Sequence, residues 1–461
     1  MDPFASALDQ AAAIRRREVS SVELTRMYLE RIEKYNRQLN AYFLVTPELA
    51  LEQAASQPGG EGREGSDGGA LRGVPVSVKD LVCLAGYPTT YGSAAYKDFV
   101  TDFDQFPVAR LKEAGCPILG KTTSPEFGSR PVTEFGFHGT ARNPWNPDHT
   151  TGGSSGGAGG ALAAGLCALS HGTDGGGSVR IPASCCGLVG LKPSRGRISR
   201  GPVQGEGWAG LSTDGVLART VEDAAAGLDA MAGHLPGDPY WAELDGSLLD
   251  ALREPKKLRL AFTNEAETQV HPELAACVER TASICEEAGH QVEQGGPDTR
   301  AFRALEKTII IAATASWEVK DRSLLDPINR DAFEREREVT GTDYYRAVTN
   351  VRIHSRKVVA FWDTHDVLIT PTLTQPPVRH GTLGADPATA HDEDLDWLPF
   401  TYPYNCTGQP AISLPLGMTS DGLPIGVQLV GPPRGEQVIL DLALQLQEAM
   451  PWKDRRPPGF A

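Results

Sequence analysis

A serine that follows three glycines offers the most direct chemistry in this sequence. In residues 172–178, GTDGGGS, the glycines allow successive backbone N–H groups to point at one spot, as an oxyanion developing beside Ser178 requires. Asp174 and Arg180 flank the loop with opposite charges, so the simplest role for this pair is loop bracing. Without a nucleophilic role, the same loop would be an anion-binding nest.

Lys79 could make a serine reactive, because a neutral lysine can remove a hydroxyl proton. It lies in the segment GVPVSVKDLV, where valines alternate with other residues and predict a strand with Lys79 on the face opposite the valines. Lowering a lysine pKa from about 10.4 to about 7 to 8 takes about 4 kcal/mol of desolvation and local field. The apolar neighbours of Lys79 favour this desolvation, and an exposed strand lysine is the alternative interpretation.

Residues 115–122, GCPILGKT, match the phosphate-loop pattern G-x-x-x-x-G-K-[ST]. A phosphate loop follows a strand and uses successive backbone N–H groups as a cradle. Here Gly115 ends a helix-like segment, Pro117 has no N–H group, and a strand-like segment follows. The context therefore argues against a nucleotide site.

Residues 152–156, GGSSG, match the nucleophile elbow G-x-S-x-G, which would make Ser154 the nucleophile. An elbow needs an apolar strand before it, whereas the polar and turn-forming ARNPWNPDHTT precedes this one. The glycine run leads directly into the apolar ALAAGLCALS, which indicates that it lies inside the fold. Glycines at this density bring the backbone close to a neighbouring group.

The segments around these residues predict an α/β layered core. Residues 1–55 are predicted to form a helical arm, in which Ser20 and Glu23 form a capping box. Residues 56–70 are a Gly-rich polar linker. Helical and short apolar stretches alternate from 105 to 193, and residues 257–294 follow the order strand, helix, strand.

No repeat and no clear internal boundary divides the chain, so one large domain over 1–461 is predicted. Residues 71–233 would form the catalytic core, 255–360 a peripheral region that shapes a substrate mouth, and 361–461 the returning strands of the core. The acidic stretch at 390–396 is interpreted as a solvated loop, with gating of a pocket or selection of cationic amines as alternatives.

The composition excludes several classes of protein. A chain of 461 residues can bury a sizeable site, and its net charge of −15 repels nucleic acid and anionic lipid. No apolar run reaches the length of a membrane helix, and the first residues lack the apolar core of a signal peptide. The eight cysteines form no C-x-x-C pair, which is typical of reduced thiols. We therefore expect a cytoplasmic protein without nucleic-acid or membrane partners.

Six segments together resemble the amidase signature family, in matching order and over most of the chain. They are GVPVSVKD around Lys79, GKTTSPEFG at 120–128, NPWNPDHTTGGSSGG at 143–157, GTDGGGSVRIPASCCGLVGLKPS at 172–194, GVLARTVEDAA at 215–225 and FTYPYNCTGQPAISLP at 400–415. The resemblance implies the amidase signature fold, a large mixed twisted β-sheet covered by helices on both faces. It also explains the phosphate-loop letters as part of the family's own segment.

The resemblance implies a catalytic triad of Lys79, Ser154 and Ser178. Ser178 would be the nucleophile and Ser154 the bridging serine, which a cis peptide after Gly153 holds in the family. The backbone N–H groups of four successive residues would bind the oxyanion, namely Gly175, Gly176, Gly177 and Ser178. Gly175 departs from the bulkier residue often found there, which would loosen the hole but leave its donors in place.

The implied activity is hydrolysis of the C–N bond of a small hydrophobic or aryl carboxylic amide, or of a related oligoamide or carbamate. No metal or cofactor is expected, and the expected partners are the amide, water and, as a candidate assembly, a second copy of the chain. Five aromatic residues are candidates for contact with the substrate, namely Phe127, Trp208, Trp397, Phe400 and Tyr402.

Two other functions remain open from the sequence. The chain could be the glutaminase subunit of a tRNA-dependent amidotransferase, which would need a surface for partner subunits and a site for the α-groups of glutamine. It could also be a non-catalytic ligand-binding member of the family. The intact Lys79, Ser154 and Ser178 favour an enzyme over this last alternative.

Overall fold

Short runs of aliphatic and β-branched residues form one mixed sheet in the computed structural model, which describes residues 1–57 and 69–460. The strands are β1 Tyr42–Val45, β2 Val76–Lys79, β3 Ile118–Thr122, β4 Leu169–Asp174, β5 Val189–Lys192, β6 Thr213–Ala218, β7 Arg259–Phe262, β8 Gln291–Gln294, β9 Val367–Pro371, β10 Ala411–Met418 and β11 Pro424–Val430. Among the described residues, these eleven strands follow the spatial order β1-β3-β2-β4-β6-β5-β10-β11-β9-β7-β8. The predicted α/β class with a large mixed sheet is confirmed.

The helices pack against this sheet and enclose a core of almost fully buried apolar side chains. They are α1 Ala7–Arg15, α2 Ser21–Leu39, α3 Pro47–Ala55, α4 Phe106–Glu113, α5 Gly156–Ala163, α6 Arg180–Cys186, α7 Val221–Met231, α8 Leu248–Ala251, α9 Pro272–Glu287, α10 Phe302–Ala315, α11 Pro327–Arg335, α12 Gly341–Val359, α13 Ala390–Trp397, α14 Pro403–Thr407 and α15 Glu436–Ala449. In the described ranges, none of them is long and apolar enough to cross a membrane.

Strands from every predicted section of the chain share the sheet. β1 comes from the N-terminal arm, β2 to β6 from residues 71–233, β7 and β8 from 255–360, and β9 to β11 from 361–461. One continuous sheet favours the single large domain, while the boundaries of the sections stay predictions.

Two local signals in the sequence are confirmed. In the capping box of α2, the Ser20 side chain accepts a hydrogen bond from the Glu23 backbone N–H, and the Glu23 carboxylate accepts one from the Ser20 backbone N–H. After α4, Gly115 adopts a left-handed conformation with φ of 79°, and β3 begins at Ile118. The phosphate-loop letters therefore span a helix end and a strand rather than a strand-to-helix loop.

The N-terminal arm contains an edge strand in addition to the predicted helices. Asn40 ends α2 in a left-handed conformation with φ of 52°, and β1 then pairs antiparallel with β3. The aromatic and branched residues of β1 favour an extended chain once the helix has ended. The predicted linker at 56–70 falls largely on 58–68, which lies outside the described residues.

The glycine run that follows Ser154 forms α5. A Cβ atom at Gly157 would lie 2.5 Å from the backbone nitrogen of Thr123 and 2.5 Å from the backbone oxygen of Ala41. No other residue type fits so close to this backbone. The glycine therefore lets α5 pack directly against Ala41, which precedes β1, and Thr123, which follows β3. The prediction of close backbone contact in this run is confirmed.

The interpretation of residues 390–396 as a solvated loop is wrong, because they form most of α13. Asp394 is buried and accepts two hydrogen bonds from Arg130, with N–O distances of 2.6 and 2.9 Å. Asp392, in the first turn of the helix, accepts hydrogen bonds from Lys307. Carboxylates near a helix N-terminus are stabilising. In α13 the carboxylates are also paired with cations from distant segments, Arg130 and Lys307.

Candidate active site

Lys79 is the last residue of β2 and is completely buried. Its Nζ donates hydrogen bonds to the Oγ of Ser154 at 2.7 Å and to the Oγ1 of Thr173 at 2.8 Å. Thr173 comes from the neighbouring strand β4, so the amine is held between that strand and the loop that carries Ser154. The structure thus brings two of the three predicted catalytic residues into direct contact.

The surroundings of Lys79 favour its neutral form. Burial lowers the pKa of Lys79 well below its usual value, although the carboxylates of Asp174 and Asp214 act in the opposite direction. The positive charge of Arg200 adds to the lowering. Desolvation outweighs the two carboxylates, so an amine able to accept a proton is available at a lower pH than for an exposed lysine.

The loop that carries Ser154 is tied to the loop that carries Ser178. The peptide bond between Gly153 and Ser154 is cis. The backbone N–H of Ser155 donates to the carbonyl oxygen of Ser178 at 3.2 Å, and the Ser155 hydroxyl donates to the carbonyl oxygen of Thr173 at 3.2 Å. Ser154 and Ser178 line the same cavity and are almost fully buried.

Four successive backbone N–H groups at residues 175–178 donate no hydrogen bond to any residue in the described ranges. Buried backbone N–H groups are nearly always satisfied, so such a run marks a place where an anion or oxyanion can be bound. A hydrogen bond fixes the loop in place, because the Thr401 hydroxyl donates to the carbonyl oxygen of Gly176 at 2.7 Å. These are the donors that the family resemblance implies for the oxyanion.

Trp208 explains why residue 175 is glycine. A Cβ atom at Gly175 would lie 2.7 Å from two ring carbons of Trp208. The indole therefore occupies the space that a larger side chain would take. We infer that the ring supports the loop from this side, which offsets the loosening expected from the small residue.

Asp174 and Arg180 form a completely buried bidentate ion pair, with N–O distances of 2.8 and 3.0 Å. The remaining Arg180 donors reach the side-chain oxygens of Asn405 at 2.6 Å and Gln428 at 2.7 Å. Burial alone would raise the pKa of Asp174, but the charge and hydrogen bonds of Arg180 bring it down to about 2. The carboxylate also accepts the Val179 backbone N–H, which fixes the end of the glycine loop.

We expect Asp174→Asn to destabilise the protein by about 3 to 5 kcal/mol, because it leaves the Arg180 guanidinium buried without its carboxylate. Denaturant unfolding of the variant would measure this loss. Glu18→Gln is the matched control, since it removes the carboxylate of an exposed ion pair with Arg16 and should change stability little. An Asp174→Asn variant as stable as the control would contradict the bracing role of this pair.

The cavity that Ser154 and Ser178 line has a volume of about 210 Å³. Phe127 and Trp208, both predicted to contact the substrate, lie in its wall. Trp317 also lines it and stacks on Phe127, with ring centroids 4.7 Å apart and planes 13° from parallel. The wall thus offers flat apolar surfaces beside the two serines.

The structure does not place the other three predicted substrate residues on this cavity. Phe400 and Tyr402 line a different cavity. Their segment is fixed there by two hydrogen bonds: the Gln428 amide donates to the carbonyl oxygen of Phe400, and the Thr401 hydroxyl donates to the carbonyl oxygen of Gly176. Trp397 is buried and donates its indole N–H to the carbonyl oxygen of Gln375 at 3.2 Å.

Sequence reasoning missed several residues of the site. Thr173 stands directly before Asp174 in the recognised motif, so its position was a usable signal for a partner of Lys79. Trp317 carries no such signal, although it falls in the section predicted to shape the substrate mouth. His171 was also missed, and it pairs with buried Asp214 at 2.8 Å.

The arrangement can support acyl transfer through a serine, since the desolvated amine of Lys79 contacts Ser154, and Ser154 lines one cavity together with Ser178 and the glycine loop. In the part of the chain that the structure describes, no three His, Cys, Asp or Glu side chains converge as metal ligands would.

Comparisons with known proteins agree with this chemistry. A family model described as Amidase matches residues 23–440. The 6-aminohexanoate-cyclic-dimer hydrolase of Paenarthrobacter ureafaciens is 36% identical over 488 residues, covering 99% of this chain and 97% of that protein. The solved structure of a 6-aminohexanoate cyclic dimer hydrolase complexed with substrate matches with a TM-score of 0.94 and 34% identity over 100% of both chains.

A second solved structure, that of a bacterial aryl acylamidase of the amidase signature enzymes, matches with a TM-score of 0.88 and 25% identity over 97% of each chain. The match of the family model over most of the chain and the full-length similarity to these hydrolases agree with the sequence motifs. The chain belongs to the amidase signature family and is an amidohydrolase.

Proposed function

We propose that this protein hydrolyses small amides with an apolar or aryl group, through an acyl-enzyme on Ser178 and a relay of Lys79 and Ser154. The observation that carries the proposal is the 2.7 Å contact between the Lys79 amine and the Ser154 hydroxyl, on the cavity that also holds Ser178. A buried neutral lysine can take the proton of the serine that it contacts, and this serine can then take the proton of a nucleophile on the same cavity.

The first step is attack on the amide carbonyl. Neutral Lys79 accepts the proton of Ser154 while Ser154 accepts the proton of Ser178, and the Oγ of Ser178 forms a bond to the carbonyl carbon. The carbonyl oxygen gains the negative charge and accepts hydrogen bonds from the backbone N–H groups of residues 175–178. These donors are free in the described chain, so they cost no rearrangement when the charge develops.

The second step breaks the C–N bond. The proton returns from Lys79 through Ser154 to the leaving nitrogen, because an amine leaves the tetrahedral intermediate only after protonation. Water then takes the place of the amine, gives its proton to the same relay and attacks the Ser178 ester. The carboxylic acid leaves and the hydroxyl of Ser178 is restored.

The size and lining of the cavity favour a compact, flat group on the substrate. An apolar cavity of about 150 Å³ is enough to bind benzene. The cavity here measures about 210 Å³, so one ring and the amide fill it. A relative named as an aryl acylamidase and another named as a hydrolase of the 6-aminohexanoate cyclic dimer support apolar amides as the substrate class.

We expect Trp317→Ala to raise KM for an anilide about tenfold while changing kcat less. The substitution removes a ring that stacks on Phe127 in the cavity wall, and this surface contacts the substrate before and during the reaction alike. Steady-state kinetics with an anilide and with a simple aliphatic amide would measure the effect, which should be smaller for the aliphatic amide. Trp241→Ala, which removes an exposed indole, is the control. Equal losses on both amides would argue against ring recognition by Trp317.

The proposal as a whole is tested by product release from the purified protein alone. The substrates are glutamine, a simple aliphatic amide, an anilide, a carbamate and an aminohexanoate oligomer, with Ser178→Ala as the control. Release from apolar or aryl amides that disappears in the variant supports the proposal. Activity on glutamine only would favour the glutaminase alternative, and a lack of release from every substrate would favour a non-catalytic role.

A further inference from the structure

A second cavity, of about 700 Å³, lies at the carboxyl ends of three neighbouring parallel strands. β7 pairs in parallel with both β8 and β9, and α9 connects β7 to β8. Thr263 directly follows β7, Gly296 comes shortly after β8, and Thr370 lies near the end of β9; all three line the cavity. The carboxyl ends of parallel strands are where open α/β sheets bind ligands.

This cavity is separate from the one that holds Ser178, and the two share no lining residue. Residues 399–404 lie between them, since Tyr402 lines the second cavity while the adjacent Thr401 donates its hydroxyl to Gly176 of the glycine loop. Hydrogen bonds also fix the wall of the second cavity. The Gln428 amide donates to the hydroxyl of Thr370 at 3.0 Å and to the carbonyl oxygen of Phe400 at 2.7 Å. The second cavity is therefore preformed by buried hydrogen bonds.

Two tyrosines in the wall have hydroxyls without a partner. Tyr402 and Tyr404 are each only 3% exposed, and neither hydroxyl makes a hydrogen bond with any residue that the structure describes. Burial raises the pKa of both phenols, so both stay protonated and can donate as well as accept. Neither hydroxyl oxygen is among the fully enclosed polar atoms of the described residues, so both can be reached from the cavity, where a polar group of a ligand can exchange hydrogen bonds with them.

The charged residues of this cavity favour a cation. Asp298 is paired with Arg300 at 2.7 Å. The carboxylates of Glu265 and Glu267 also line the cavity, and within residues 1–57 and 69–460 neither has an ion-pair or hydrogen-bond partner. Both glutamates are exposed, and Glu267 also interacts electrostatically with Arg300. The charged lining of three carboxylates and one guanidinium is negative, which favours an organic cation over an anion.

We propose that the second cavity binds an organic ammonium that carries a neutral polar group on a short apolar chain. The ammonium lies against Glu265 and Glu267, the chain packs on Phe400, and the polar group exchanges hydrogen bonds with the hydroxyls of Tyr402 and Tyr404. A volume of about 700 Å³ is within the range of small-molecule sites. This site is distinct from the catalytic serines, and its occupation needs no turnover.

Calorimetric titration of the full chain with 6-aminohexan-1-ol at low ionic strength tests the proposal, since this probe has an ammonium, a chain and a hydroxyl but no amide. We expect saturable binding to one site. The double variant Glu265→Gln, Glu267→Gln should weaken binding by about tenfold or more, and added salt should weaken binding to the unchanged protein. Tyr404→Phe should weaken it several-fold.

The matched control is Glu286→Gln with Glu287→Gln, which removes two exposed carboxylates from α9 and should leave binding unchanged. Hexan-1-ol, which lacks the cation, should bind more weakly than 6-aminohexan-1-ol. Absence of saturable binding, or equal binding by the Glu265→Gln, Glu267→Gln variant, would overturn the proposal. Loss of binding after acylation of Ser178 would also overturn it, by placing the probe in the catalytic cavity.

Discussion

Ser178→Ala is expected to lower kcat/KM by about 10⁴- to 10⁶-fold on every amide that the protein hydrolyses. Without the Oγ of Ser178 no acyl-enzyme forms, and only the N–H groups of residues 175–178 and substrate binding remain to assist water. Steady-state kinetics with an anilide would measure the loss. Activity above about 1% of the unchanged protein would contradict a nucleophilic role, since a nucleophile contributes far more than a hundredfold.

The loss in Ser178→Ala should be chemical and not structural. The Ser178 side chain makes no hydrogen bond with any residue in the described part of the chain, whereas its backbone oxygen accepts the Ser155 N–H and remains in the variant. Denaturant unfolding should therefore show little change. Ser212→Ala is the matched control, since Ser212 lines the same cavity but accepts its hydrogen bond from Arg200. This control should keep activity within a few-fold.

Lys79→Met is the second large effect, with an expected loss in kcat/KM of about 10³- to 10⁵-fold. Methionine has nearly the length of lysine and suits a buried site, but it cannot accept the proton of Ser154. Lys79→Arg should be about as inactive, because a guanidinium keeps its proton at every accessible pH. Lys79→Arg with near-normal kcat would show that a positive charge suffices and that Lys79 is no base.

The pH dependence follows from the same residue. Activity needs neutral Lys79, so kcat/KM should rise with pH through the lowered pKa of Lys79 and level off well below the pH at which an exposed lysine titrates. The unfolded chain binds this proton more tightly than the folded one. Stability should therefore also rise with pH between the two pKa values, and Lys79→Met should remove this slope in unfolding experiments.

The features that sequence reasoning found are fixed locally or by strong motifs. The alternation around Lys79 placed it on a strand, and the glycines before Ser178 predicted a loop of free N–H groups. The capping box at Ser20 likewise depends on neighbours three residues apart. Such features need no knowledge of distant segments, so the sequence was sufficient for them.

The features that were missed depend on partners far along the chain. Asp394 is buried because Arg130, 264 positions away, pairs with it, and a run of acidic residues alone does not reveal this. Phe400 faces the second cavity because the Gln428 amide holds its backbone. Trp317 reaches the catalytic cavity by stacking on Phe127, and no periodicity in the sequence signals that contact.

Trapping the acyl-enzyme tests nucleophilic catalysis by Ser178 directly. The protein would be mixed with a slowly turned-over aryl ester or anilide, quenched in acid, and analysed by intact mass and peptide mapping. We expect one acyl group per chain, on Ser178, and none in Ser178→Ala. An acyl group on Ser154 or another residue, or turnover of the amide without any covalent adduct, would contradict it.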